Sequence, residues 1–274
     1  MLSWRAKTNR GSRPDALWIV SAIPMALFLA LPILGLMLSS APNDIAHSLS
    51  KPEAQAAMRL SLETTLIATA ASIIFGVPLA YLIARRRFFG RSLLDALIDI
   101  PILLPPAVAG IALLLIFGRE GFVGQYLRRL GIEIPFTPAA VCLAQLFVAA
   151  PFFIRAAAIG FAGADIEMEQ AAQIDGAGSW RMFRDLHLPL AWPAVLSGAV
   201  TAWARALGEF GATIIFAGNF PGRTQTMPLA IYLGFEFDFN VAAALSVVLL
   251  VASLILLLLA RRLVSLADPV SSAA

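Results

Sequence analysis

Long apolar runs separated by short polar stretches dominate this chain of 274 residues. A helix needs about 20 mainly apolar residues to cross the hydrocarbon core of a bilayer. The runs of this length predict six transmembrane helices, at roughly 16–39, 57–84, 93–117, 138–162, 192–217 and 240–260. The first run exceeds the roughly 7–15 apolar residues of a signal peptide, so we expect it to be retained. The pattern therefore predicts an all-α, polytopic membrane protein.

The composition supports a membrane environment. Apolar residues make up 59% of the chain and charged residues 14%, against roughly 45–50% and about 25% in soluble domains. The mean hydropathy of +0.83 is too high for one core to hide the apolar surface, so membrane lipid is an expected partner. The formal charge of +3 comes from short basic clusters between apolar runs, which argues against nucleic-acid binding.

Basic residues indicate the orientation of the spans. Twelve lie before the first span, after the second, between the fourth and fifth, and after the sixth, whereas six lie in the opposite segments. Because basic residues concentrate on the cytoplasmic side, both termini are predicted to be cytoplasmic, with tails at 1–15 and 261–274. The segments 118–137 and 218–239 are then external loops, and the first contains one amphipathic turn.

Three prolines make the third span irregular. Pro101, Pro105 and Pro106 each remove a backbone donor and restrict the residue before them. Broken backbone cannot face lipid, because unpaired amides in hydrocarbon cost several kcal/mol. Small residues are dense in this span and in the fifth, so both regions either pack tightly against other helices or line a pathway.

The residues needed for common enzyme chemistries do not occur in usable patterns. Neither lysine, Lys7 or Lys51, follows a glycine, so the sequence has no phosphate-binding GxxxxGK[ST] loop. His47 and His187 lie far apart, and a single cysteine, Cys142, cannot build a thiolate metal site. We therefore expect no catalytic residue, no metal site and no cofactor, which leaves transport or a scaffold role.

The long cytoplasmic segment 165–193 has the pattern of two short helices. Its acidic start is typical of a helix N-terminus, and the glycines that follow are typical of a helix end. A second helix is predicted over 179–186, ending at Pro189, with Trp180 and Phe183 near one face. The pattern fits a compact cytoplasmic knob, and it also fits an amphipathic helix resting on the membrane.

This segment is similar to the EAA motif of ABC importer permeases, in which EAA is followed by three residues, a glycine, nine residues and Ile-x-Leu-Pro. The matching positions are Glu169, Gln170, Ala171, Ala172, Gly176, Leu186, Leu188 and Pro189. The triplet departs from the motif because it reads Gln-Ala-Ala, with the glutamate one position earlier. The resemblance implies that residues 165–190 form a coupling loop, which sits in a groove of a separate cytoplasmic ATP-binding subunit.

The resemblance covers nearly all of residues 57–260 and implies the ABC importer permease fold. It is strongest to molybdate-type oxyanion permeases, through LPPAVAGIALLLIFGREGFVG (104–124) and ARALGEFGATIIFAGNFPGRTQTMPLAIY (204–232). A permease core of five spans, 57–260, would then follow an extra N-terminal span, 16–39.

The same resemblance implies a function and a set of partners. It implies ATP-driven import of molybdate or tungstate across the plasma (cell inner) membrane. The permease would act as a homodimer with ATP-binding ABC subunits, where ATP hydrolysis occurs, and an external substrate-binding protein. A sulfate or thiosulfate permease is the alternative, and a passive channel or scaffold without ATP coupling is a third interpretation.

Two opposite charges lie four residues apart in the fifth predicted span. Arg205 and Glu209 would share one helical face, with Thr213 one turn further along and Gly208 and Gly211 beside them. Charges at this depth cost at least a few kcal/mol unless they are paired or hydrated. This face is a candidate for the translocation pathway, and the alternative is a structural ion pair that fixes helix packing.

Overall fold

The computed structural model describes residues 16–38 and 41–267, and every regular element within them is helical. The predicted tail 1–15 and the last residues of the predicted tail 261–274 lie outside the described residues. In chain order the helices are α1 Ala16–Leu38, α2 Pro42–Leu49, α3 Pro52–Arg85, α4 Arg91–Leu103, α5 Pro106–Phe117, α6 Gly124–Arg129, α7 Pro138–Ala162, α8 Ile166–Ile174, α9 Ser179–Arg181, the π-helical turn Met182–His187, α10 Leu188–Leu207, α11 Gly211–Ala217, α12 Met227–Phe237 and α13 Phe239–Ala267. The predicted all-α class is confirmed.

Within the described residues, four helices are long and apolar enough to cross a membrane: α1, α3, α7 and α13. The pair α4 and α5 makes a fifth span if it is taken together, and it is bent by 118°. The remaining predicted span, 192–217, corresponds to α10 and α11. The six predicted stretches are therefore all helical, but two of them are broken.

Prolines cause the sharp bend between α4 and α5, as predicted. Leu104 has an extended backbone (ψ 135°) because it precedes Pro105, and Pro106 lies in the first turn of α5. Past the bend, α5 packs closely on α11. A Cβ at Gly110 would lie 2.8 Å from the Ala212 carbonyl oxygen, so this contact requires a glycine.

The prediction of one continuous helix over 192–217 is wrong. α10 ends at Leu207, and α11 begins at Gly211. Between them, the Glu209 carboxylate accepts a hydrogen bond from the Ala212 backbone N–H, 2.8 Å away. A side chain that satisfies a free N–H at a helix start competes with continuation of the preceding helix. The break therefore has a local cause in Glu209.

Three shorter features also differ from the prediction. The predicted loop 218–239 contains α12, which Pro228 in its first turn helps to start. The segment before α3 contains the unpredicted α2, which likewise begins with a proline. Pro189 does not end the second helix of the 165–193 segment. It lies in the first turn of α10, directly after the π-helical turn, where a missing N–H is tolerated.

The centre of the bundle is formed by α3, α7 and α10. Their buried apolar side chains form one cluster around Phe153, Phe161 and Val195. A second cluster joins α5, α7 and α11, and a third joins α3, α10, α12 and α13. By contrast, α1 packs along α13, and none of its described side chains is buried. Most of the surface of α1 is therefore left for lipid or for another chain.

Candidate functional site

The 165–190 segment folds as two short helical pieces joined at glycines, as predicted. α8 ends at Ile174 with Asp175 as its C-cap, and Gly176 follows with a φ of +77°, a conformation that side chains disfavour. A Cβ at Gly176 would meet nothing within 4 Å. The glycine is therefore required by the backbone conformation and not by crowding.

Aromatic rings hold the second piece against α3. The Tyr81 ring meets Phe183 edge-on with centroids 4.9 Å apart, and it meets Phe161 at the end of α7 in the same manner at 5.5 Å. Trp180 lies beside Phe183 but remains 69% exposed. The segment is thus a packed body with an outward aromatic side chain, consistent with the predicted knob.

Glu169 lies at the centre of a polar network between this segment and the end of α3. Its Oε1 accepts hydrogen bonds from Arg85 Nη2 and from His187 Nε2, the latter at 2.8 Å. The Tyr81 hydroxyl lies 3.1 Å from His187 Nδ1. Arg85 Nη2 also donates to the Ala164 carbonyl oxygen at 3.0 Å. The glutamate that precedes the Gln-Ala-Ala triplet is therefore engaged within the chain.

The surroundings of His187 disfavour its charged form. Burial, together with the nearby positive charges of Arg85 and Arg86, lowers the pKa of His187 below its usual value. A neutral imidazole with its proton on Nε2 donates to Glu169 and accepts from the Tyr81 hydroxyl at Nδ1. This tautomer pairs both ring nitrogens, and Arg85 Nη2, 3.2 Å from Nε2, then donates to Glu169 and not to the ring.

The other predicted coupling residues divide between the outer surface and the interior. Gln170, Ala171, Gly176 and Pro189 are exposed, and Ala172, Leu186 and Leu188 are half-buried. Exposed apolar side chains stand beside them, with Ile166 at 69% and Ile174 at 86%. A polar cavity of about 280 Å³ lies between this segment and α3, lined in part by Arg85, Arg86 and Ser179.

The predicted pair in the fifth span is formed. Arg205 Nη1 and Glu209 Oε2 lie 2.9 Å apart, and the side chain of Glu209 is 1% exposed against 31% for Arg205. Thr213 is fully buried in α11, and its hydroxyl has no hydrogen-bond partner. Gly208 is exposed in the break, and Gly211 lies against Pro106. Arg205 therefore lies on α10, Glu209 in the break and Thr213 on α11. They do not share one continuous helical face.

A further charged cluster was not predicted. Arg155 of α7 donates from Nε to Asp99 Oδ1 at 2.7 Å and from Nη1 to Asp95 Oδ1 at 2.5 Å, and both carboxylates belong to α4. The side chains are 31% exposed for Arg155 and 45% for each aspartate. The spacing of Asp95 and Asp99 on one helix face and a lone arginine in an apolar run were the available signals.

Helices of membrane-spanning length and two broken spans define an integral membrane protein. The chain belongs to the family of binding-protein-dependent transport system inner membrane components, whose model matches residues 72–269. It is the permease subunit of an ABC transport system and not an enzyme, and it lies in the inner membrane.

Relatives and solved structures agree with this assignment. The probable transport system permease protein NifC of Clostridium pasteurianum is 38% identical over 86% of this chain and 82% of its own length. The molybdenum transport system permease protein ModB of Mycobacterium tuberculosis is 41% identical over 88% and 92%. The sulfate transport system permease protein CysT of Escherichia coli is 36% identical over 86% and 87%.

The fold agrees with a crystal structure of a bacterial ABC transporter that imports the acidic polysaccharide alginate. The TM-score is 0.72 at 16% sequence identity, covering 90% of this chain and 93% of that chain. At this identity the likeness concerns the fold alone. The predicted ABC importer permease fold is confirmed.

Proposed function

We propose that this permease imports a tetrahedral oxyanion, molybdate or tungstate, into the cytoplasm at the expense of ATP hydrolysed by a separate subunit. The observation that carries the proposal is the 41% identity to a molybdenum permease over 88% of this chain. A sulfate or thiosulfate permease is the second candidate, favoured by the 36% identity to CysT.

Uptake by the complete transporter in proteoliposomes tests the substrate. We expect ATP-dependent uptake of labelled molybdate that excess tungstate inhibits and that sulfate inhibits weakly. Strong inhibition by sulfate would favour the second candidate. Uptake that continues without ATP would favour a passive channel and contradict both.

The proposed assembly contains two copies of this chain, two cytoplasmic ATP-binding subunits and one external binding protein. The surface of α4 and α5 supports a second copy. The residues on either side of the bend, such as Leu103 at 81%, are exposed, and the Asp95 and Asp99 carboxylates are 45% exposed. Lipid is a poor neighbour for broken backbone and for carboxylates. Chemical cross-linking of the purified transporter should therefore give a dimer of this chain.

The proposed orientation has both termini in the cytoplasm, with residues 57–260 as the permease core and 16–39 as an additional span. Support comes from the basic residues and from contacts that join two segments assigned to the cytoplasm. Arg86 Nη2 donates to Ser179 Oγ at 3.3 Å, so the end of α3 and the start of α9 share one side. Single cysteines introduced in Cys142→Ser protein should be labelled from outside within 119–135 and only from inside within 165–190.

The 165–190 segment is proposed as the coupling loop that contacts the ATP-binding subunit. Its support is the rigid two-piece fold with the exposed side chains Ile166, Ile174 and Trp180. Apolar side chains in the centre of a contact, surrounded by charges, are typical of protein interfaces. Replacing Trp180 by glutamate should reduce co-purification of the ATP-binding subunit. Unchanged co-purification would contradict this assignment.

The pathway is proposed to run beside the α10–α11 break, where Arg205, Gly208, Glu209, Gly211 and Thr213 cluster. A partly exposed arginine whose charge is balanced by a buried carboxylate can meet an anion without holding it strongly. The alternative is a structural ion pair, and uptake by variants of Arg205 and Glu209 separates the two.

A further inference from the structure

A closed set of polar contacts ties the 165–190 segment to α3. The set consists of four side chains: Arg85 and Tyr81 from α3, Glu169 from α8 and His187 from the π-helical turn. Through Arg85, the set also reaches the backbone just after α7. Each short helical piece of the segment therefore has its own polar link to the same turn of α3.

These contacts are partly buried and line the polar cavity between this segment and α3. The side-chain exposure is 3% for His187, 15% for Arg85 and 24% for Glu169. Charge-assisted hydrogen bonds are stronger than neutral ones, and burial limits the competition from water. Loss of one member would leave the other polar groups without partners in a confined space. The set is therefore a stiff connection and not a loose surface contact.

The π-helical turn brings His187 into this position. Its two buried residues, Met182 and His187, are five apart, which matches the i to i+5 hydrogen bonding of a π-helix. In an α-helix, residues three or four apart would share a face instead. The local change of helix type thus turns the imidazole toward Glu169.

Glu169 lies on the side of α8 that faces α3, away from the exposed outer surface of the helix. Ile166, Gln170 and Ile174, spaced four apart, are exposed, whereas Glu169 is engaged with Arg85 and His187. The carboxylate that stands one position before the expected triplet is therefore directed at the membrane bundle. It is not left free for a docking protein.

We propose that Arg85, Glu169 and His187 are positioning residues that make the coupling segment and α3 move as one body. The inference rests on the proposed function, in which the outer surface of α8 contacts an ATP-binding subunit. A displacement of that surface then reaches the end of α3 directly. Because α3 packs along both α7 and α10, the displacement is passed to the centre of the bundle.

The test uses the complete transporter with its ATP-binding subunit and binding protein. Glu169→Gln and Arg85→Gln each remove one charge from the set, and Glu63→Gln is the matched control on a residue of α3 that is 53% exposed and lies outside the coupling segment. Four quantities are measured: membrane yield, co-purified ATP-binding subunit, ATPase activity with and without the loaded binding protein, and uptake.

For Glu169→Gln and Arg85→Gln we expect normal yield and co-purification, with stimulation of the ATPase and uptake reduced by at least about tenfold. Glu63→Gln should match the unchanged protein within about twofold. The exchange Arg85→Glu with Glu169→Arg keeps an ion pair and should restore a large part of the uptake. That rescue separates a link between helices from a general loss of folding.

Three results would overturn the proposal. Full uptake by both single variants would show that the link is not needed. Loss of co-purification in Glu169→Gln would mean that Glu169 contacts the ATP-binding subunit. Reduced uptake without any rescue by the exchanged pair would also count against it. Failure of the underlying function looks different, because the unchanged protein itself would show no ATP-driven oxyanion uptake.

Discussion

Replacing Arg205 by alanine should destabilise the protein through the carboxylate that it leaves behind. Glu209 is 1% exposed and is held by Arg205 at 2.9 Å and by the Ala212 N–H at 2.8 Å. Removing one partner of a buried ion pair costs about 3–5 kcal/mol. Because Arg205 is 31% exposed and the Ala212 hydrogen bond remains, we expect a loss of about 2–3 kcal/mol.

Glu209→Gln should be milder. The amide oxygen can still accept from the Ala212 N–H, and Arg205 can reach water, so we expect a loss of about 1 kcal/mol. The double variant removes both charges and should cost about the same as Glu209→Gln alone. The two changes are then non-additive by about 2–3 kcal/mol, as expected for residues in direct contact.

Reversible denaturant titration of the purified protein in detergent measures these differences. The matched control is Arg59 and Glu63, a pair with the same spacing at 2.7 Å whose side chains are 81% and 53% exposed. Arg59→Ala should leave stability unchanged within error. If Arg205→Ala is as mild as Arg59→Ala, the argument from the buried carboxylate is wrong.

Uptake by the same variants decides between the pathway and the structural interpretation. A structural pair predicts that the double variant recovers both stability and oxyanion uptake. A pathway role predicts that uptake stays low in Arg205→Ala and in the double variant, although assembly with the ATP-binding subunit persists. Full uptake by the double variant would remove Arg205 and Glu209 from the pathway.

Three further variants test other features. Gly176→Val should abolish uptake while the protein remains in the membrane, because valine disfavours a φ of +77°, whereas Gly178→Ala, with a φ of −71°, should transport normally. Gly110→Ala should lower membrane yield, because its Cβ would lie 2.8 Å from the Ala212 carbonyl oxygen, and Gly35→Ala, with open space around it, should not. Stimulated ATPase activity should fall as the pH drops below about 6.5. The pKa of His187 is lowered in the folded protein, so protonation of this side chain destabilises the folded arrangement. His187→Gln should make the ATPase activity less dependent on pH in this range.

Much of the fold follows from local properties of the sequence. The ends of α1 and α7 lie within one residue of the predicted spans because a long apolar run is visible without knowledge of its neighbours. α3 begins five residues before its predicted span, and α13 continues seven residues beyond its predicted span into the predicted tail 261–274. The bend at Pro105 was equally visible. The break at Glu209 was not, because it depends on a side chain that caps α11 in place of continuing α10. Short helices such as α12 were missed because an apolar run of 11 residues is too short to be predicted as a transmembrane span.

The site shows the same division. The positive φ of Gly176 and the pairing of Arg205 with Glu209 follow from spacing within a few residues. By contrast, Glu169 pairs with Arg85, 84 residues away in the sequence, and Arg155 pairs with Asp99, 56 residues away. Rules based on the spacing of residues within one helix cannot predict contacts between residues so far apart in the sequence. Only the packing of α3 against α7, and of α4 against α7, brings them together.

The Arg155 cluster has a consequence for the order of membrane insertion. A helix that carries Asp95 and Asp99 enters lipid poorly by itself, since a central aspartate costs about 2.5–3.5 kcal/mol on the scale measured for insertion. The prolines in and after this helix break its backbone hydrogen bonding, which makes insertion into lipid still less favourable. The neutralising arginine is synthesised 56 residues after Asp99. Nascent α4 and α5 are therefore expected to stay beside the insertion machinery until α7 has emerged, so that the three helices enter the bilayer together.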